Sequence, residues 1–133
     1  MLIVPQNHGY YMCIAAQMSL MSATYAMRRG HYMVAIGPLG VWFNSVNFWR
    51  NPCYGFRRNL DICWLLGALT TQMLNSHHSR YCNYYRCIML GSLLFYPVGW
   101  VLYINEYFWS ATITHSMLHL FPNVANIILY SGL

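Results

Sequence analysis

The chain has 133 residues, of which 58% are hydrophobic and 7% charged, with a formal net charge of +5. A soluble domain carries about 25% charged residues, so this composition argues against one and points to an all-α polytopic transmembrane bundle in a single domain. All seven basic residues are arginines, and the absence of lysine excludes a retinal Schiff base, a phosphate-loop lysine and pyridoxal chemistry. The only acids are Asp61 and Glu106, which argues against a catalytic carboxylate pair. The arginines sit in short clusters between apolar runs, as topology determinants do, so no nucleic-acid partner is expected.

A membrane-spanning helix needs about 17–25 residues. Five runs are expected to be helical spans: about Tyr10–Met27, His31–Trp49, Leu60–Leu74, Cys87–Tyr103 and Glu106–Tyr130. The first ends at Arg28-Arg29-Gly30 and the second at Arg50-Asn51-Pro52. The third is short, and the fourth is the cleanest. The link around Asn105 is so short that the last two runs must form an antiparallel hairpin. The segment Asn75–Arg86 reads as a polar and aromatic loop at headgroup level. Tyrosines and tryptophans gather near the run ends, as aromatic belts do. Alternating loops place four arginines on one side and three on the other, too even a split to set orientation. The first run lacks a charged leader and a small-residue cleavage site, so no cleavable signal peptide is expected. Of the five cysteines, Cys13, Cys63 and Cys87 read as buried small hydrophobes, whereas Cys53 and Cys82 lie in loops and could pair.

The sharpest chemical feature is His115-Ser116-Met117-Leu118-His119, since residues at i and i+4 share a helix face. Asn123 and Asn126 extend the stripe, and Pro122 removes the helical donor to the Leu118 carbonyl. Two such imidazoles are good zinc ligands if another helix supplies a third; the alternative is interhelical hydrogen bonding. Asp61, the only acid inside a run, follows Arg57 and Arg58 at ion-pairing spacing and could also lie in a first turn, where the helix dipole favours a carboxylate. A sharper role for it is orienting a metal ligand or metal-bound water. Ser45, with Asn44 and Asn47, makes the end of the second run polar.

Ser45, Asp61 and the His115/His119 pair follow the order of a signature: Ser-x3-His late in one helix, Asp early in the next, and HxxxH in the last. In this the chain resembles the CREST superfamily, which includes alkaline ceramidases, progestin–adiponectin receptors and hemolysin-III-like proteins. The resemblance implies a zinc site, with Ser45 and Asp61 beside it, and lipid amide hydrolysis or reception. Two departures stand out: Trp49 occupies the position of the Ser-x3-His histidine, and five runs stand in place of seven helices. His77 or His78 could substitute for the missing ligand, but the third run, about 15 residues or roughly 22 Å of helix, separates them from Asp61. His119-x3-Asn123 is similar to a rhomboid-protease element, but the GxSG serine of that family is absent.

Three functions are therefore expected. The first is a non-catalytic accessory subunit packed with other membrane subunits in the lipid bilayer, its nine methionines suiting adaptable contacts. The second is a reduced CREST-like zinc hydrolase or receptor using His115 and His119. The third is a pigment- or haem-binding subunit, although two histidines on one helix face cannot supply both axial ligands of one haem.

Overall fold

The computed structural model describes residues 2–133, and among them the fold is all-helical: α1 (Gln6–Arg28), α2 (Tyr32–Trp49), α3 (Phe56–Asn75), a 3-10 turn (Ser76–His78), α4 (Cys82–Ser92), α5 (Phe95–Ile104) and α6 (Phe108–Gly132). The first and third expected runs lie wholly within α1 and α3; the second begins one residue before α2, at the cap residue His31, the fifth begins two residues before α6, at Glu106, and the fourth covers parts of two helices. The third is longer than its apolar core, since α3 includes Arg57 and Arg58, and its 20 residues make about 30 Å of helix. The expected loop before the fourth run is shorter than read, because Cys82–Arg86 already belongs to α4. The fourth run is divided at Leu93–Leu94. Pro97 has no N–H for the Leu93 carbonyl, which instead takes the Tyr96 N–H at 3.2 Å in a tighter turn. Among the described residues, Cys82–Ile104 is the one helical stretch that meets both the length and the apolar composition for crossing a membrane.

Two helix ends share one capping device. After α1, His31 N–H bonds to the Ala26 carbonyl at 2.9 Å and Gly30 N–H to Met27 at 3.0 Å, with Gly30 at φ 79°. After α5, Tyr107 N–H bonds to Leu102 and Glu106 N–H to Tyr103, both at 3.0 Å, with Glu106 at φ 61°. Both are Schellman turns that close the orphan carbonyls of the last helical turn. The second folds α5 back on α6 as the expected hairpin.

Around the molecule the helices run α3, α2, α1 and α6, each packed on the next, and α4 and α5 both pack on α6. Bare backbone brings α3 close to α2. Trp64 lies across Gly40, where a Cβ would overlap the indole, and donates its N–H to the Gly37 carbonyl at 3.0 Å. No extensive contact closes the ring between α3 and α5.

The interior is as polar as the exterior is apolar. Ser19, Ser22, Asn44, Gln72, Asn123 and Asn126 are buried, while Ile14, Met33, Phe43, Phe56, Leu94 and Ile113 are exposed. The apolar part of the core joins Val34, Tyr85, Ala125, Leu129 and Tyr130 at the end where α1 finishes. All five cysteines are free, so Cys53 and Cys82 do not pair. They flank opposite ends of α3, about 30 Å apart along that helix, far beyond disulfide reach. Cys63 and Cys87 are exposed rather than buried.

Candidate functional site

A cleft of about 550 Å³ lies inside the ring, and its walls include Ser45, Trp49, Asp61, His115, His119 and Asn126. Its mouth faces the gap between α3 and α5, where Leu65, Leu66, Tyr96 and Trp100 both line the cleft and are exposed. Ser45, Asp61 and the His115/His119 pair, which come from three separate helices, therefore surround one space.

Their placement follows from the helices that carry them. Ser45 is one turn from the end of α2, and Asp61 lies in the second turn of α3, across the Asn51–Gly55 connection. The Ser45 hydroxyl donates to Asp61 Oδ1 at 2.7 Å. The expected pairing of Asp61 with Arg57 or Arg58 does not form. Arg57 donates to the Asn47 and Asn51 carbonyls at 3.4 Å, and Arg58 lies over the Tyr54 ring. Those carbonyls, freed where α2 ends, draw the guanidinium away from the carboxylate. Asp61 is also not in the first turn of α3, so the dipole reading does not apply.

On α6 the His115 and His119 rings lie 5.5 Å apart, centroid to centroid, as i,i+4 spacing dictates. Trp49 meets His115 edge-on at 5.1 Å, so an indole stands where a third imidazole would be needed. His119 is 7% exposed, and its Nε2 has no hydrogen-bond partner. Interhelical hydrogen bonding is therefore not the role of that nitrogen. Interhelical bonding is instead carried one turn further on. Asn123 Nδ2 donates to Ser19 Oγ at 3.1 Å and to the His119 carbonyl at 2.7 Å, and its Oδ1 accepts from Ser22.

Among the described residues no three His, Cys, Asp or Glu side chains stand close enough to hold a metal ion. The donor set thus does not fit the three-ligand zinc site that the resemblance implies. His77 does not complete it, because both its ring nitrogens face Arg86 Nη2, at 3.0 and 3.2 Å, at the far end of α3. A cleft with a carboxylate, a hydroxyl and imidazole nitrogens can still hold a polar headgroup by hydrogen bonding.

Two participants escape a reading of the sequence alone. His8, 4% exposed, bonds through Nδ1 to Thr112 Oγ1 at 2.7 Å and packs on Trp109 at 4.4 Å, tying the start of α1 to α6. Pro5 was the available signal: it stands at the N-cap of α1, ahead of the first helical bond, where its missing N–H costs the helix nothing. Gln72 crosses from α3 to α2 because Pro38 has no N–H for the Val34 carbonyl; Gln72 Nε2 supplies the donor at 2.7 Å.

Fold and site together define an all-helical bundle built around an open cleft with mostly apolar walls and a few polar groups. No protein-family model, curated protein or solved structure matches the chain.

Proposed function

We propose that this chain is a polytopic integral membrane protein that holds an amphiphilic lipid in its cleft, without metal chemistry of its own. Water would penalise an exterior rich in Ile, Leu, Met and Phe with a polar interior, whereas a bilayer favours it. The single observation that carries the binding reading is the convergence of Ser45–Asp61 and His115/His119 on one cleft whose mouth is apolar. The unpartnered polar atoms on the walls of the cleft favour a bound ligand over packing alone. A pocket of a few hundred Å³ with apolar walls and a few polar groups suits a lipid-sized ligand. The acyl chain enters between α3 and α5, and the headgroup meets the Ser45–Asp61 and imidazole end.

The test is photolabelling of the full chain in nanodiscs with a phospholipid carrying a diazirine on its acyl chain. Adducts on Leu118 or His119 support the reading. Adducts confined to outward residues such as Ile14, Met33 and Phe43 overturn it.

The CREST-like hydrolase remains a second reading, favoured by the 2.7 Å Ser45–Asp61 bond beside the histidine pair. It requires stoichiometric zinc on the purified wild-type chain.

A further inference from the structure

The end of the cleft away from Asp61 carries its own unpartnered groups. Gln72 is 2% exposed and Asn126 8% exposed, both line the cleft, and neither Gln72 Oε1 nor Asn126 Oδ1 has a hydrogen-bond partner. The Gln72 amide cannot be turned round. Its nitrogen faces the Val34 carbonyl, which only accepts, and the Tyr130 hydroxyl, each at 2.7 Å. Its oxygen is therefore the unpartnered end of the amide, on a residue that lines the cleft. Asn126 lies two turns beyond His119 on the same face of α6.

The unpartnered side-chain atoms of the residues lining this end are thus acceptors, which constrains what binds; the unpartnered Tyr85 hydroxyl, in the core beside Tyr130, does not line the cleft. A carboxylate or phosphate would set lone pairs against lone pairs. An ammonium would lack a counter-charge, since Asp61 is at the other end of α3 and Glu106 is in the turn after α5. A neutral donor satisfies the oxygens, and a hydroxyl is the simplest one. Buried acceptors left unmatched are costly, so a ligand that supplies a donor is favoured over one that does not.

We infer that the Gln72–Asn126 end is a hydroxyl-accepting subsite, so that the occupant of the cleft is an elongated neutral lipid with a donor at the end remote from Ser45–Asp61. This rests on the lipid-binding reading above and adds the second polar end of the ligand. The eleven residues from Asp61 to Gln72 set the two poles roughly 16 Å apart along α3, at 1.5 Å per residue.

The experiment measures retention of tritiated dodecane, dodecan-1-ol and dodecane-1,12-diol by the full chain in nanodiscs, corrected for partition into empty nanodiscs. The wild type should hold the diol about five- to tenfold more tightly than the mono-alcohol, the worth of one added hydrogen bond. Asn126→Leu should bring the diol down to the mono-alcohol, and Asn126→Ser should restore the preference. Ser45→Ala should weaken both alcohols alike. Equal retention of diol and mono-alcohol by the wild type, or a preference that survives Asn126→Leu, overturns the subsite while leaving the cleft as a lipid site. If no probe is retained above empty nanodiscs, the lipid-binding reading falls, and the subsite with it.

Discussion

Gln72 offers the most quantitative check on how the bundle is held. Its amide donates to the Val34 carbonyl and to the Tyr130 hydroxyl, both at 2.7 Å, and Tyr130 reaches the same carbonyl at only 3.4 Å. Gln72→Leu removes both short bonds at similar side-chain volume. At about 1 kcal/mol for each net bond, the loss is about 2 kcal/mol. The Val34 carbonyl needs Gln72 because Pro38 cannot serve it. Pro38→Ala supplies an N–H four residues on, so in that background Gln72→Leu should cost about 1 kcal/mol, giving a coupling of about 1 kcal/mol between two side chains on different helices. Such a value lies within the range measured for interhelical bonds in membranes. Equilibrium unfolding of the four proteins in mixed micelles of mild detergent and dodecyl sulfate, followed by circular dichroism, measures the cycle. A coupling under about 0.3 kcal/mol, which is indistinguishable from additivity, would refute the assignment of Gln72 as the donor that Pro38 withholds.

Three further outcomes follow from single sites. Gly40→Ala places a methyl group in the Trp64 indole and should destabilise the fold by about 1–3 kcal/mol, read by the same unfolding assay. Glu106→Gly relieves a left-handed backbone at φ 61° and should stabilise by about 1 kcal/mol; a loss of stability would show that the Glu106 side chain matters more than its conformation. Trp49→His replaces the indole 5.1 Å from the His115 ring with an imidazole and should confer stoichiometric zinc by elemental analysis, which the wild type should lack. Zinc bound equally by both proteins would return the chain to the hydrolase reading.

The sequence was most legible where composition and periodicity decide. The all-helical character of the chain, the tight hairpin before α6 and the shared face of His115 and His119 follow from apolar length, turn length and the 3.6-residue repeat. Contacts between distant segments were less legible. Local spacing put Asp61 with Arg57 and Arg58, but Arg57 bonds to carbonyls at and just past the end of α2, Arg58 lies over the Tyr54 ring, and Asp61 takes a hydroxyl from Ser45. His8 was missed because the apolar run begins at Tyr10, although the helix begins at Gln6. The aromatic stretch before the fourth run read as loop because its residues suit an interface, yet Tyr85 is fully buried against the core. Pro97 marked the break within that run and Pro38 the free carbonyl in α2; what serves the Val34 carbonyl instead, the Gln72 amide, depends on the facing helix.

The claim beneath all of this is that the outward face of Ile, Leu, Met and Phe meets lipid. The most direct measurement is flotation of membranes from cells expressing the full chain, after an alkaline carbonate wash. The chain should rise with the lipid and leave it only on addition of detergent. Recovery as a folded, monodisperse species in the aqueous wash would contradict the account.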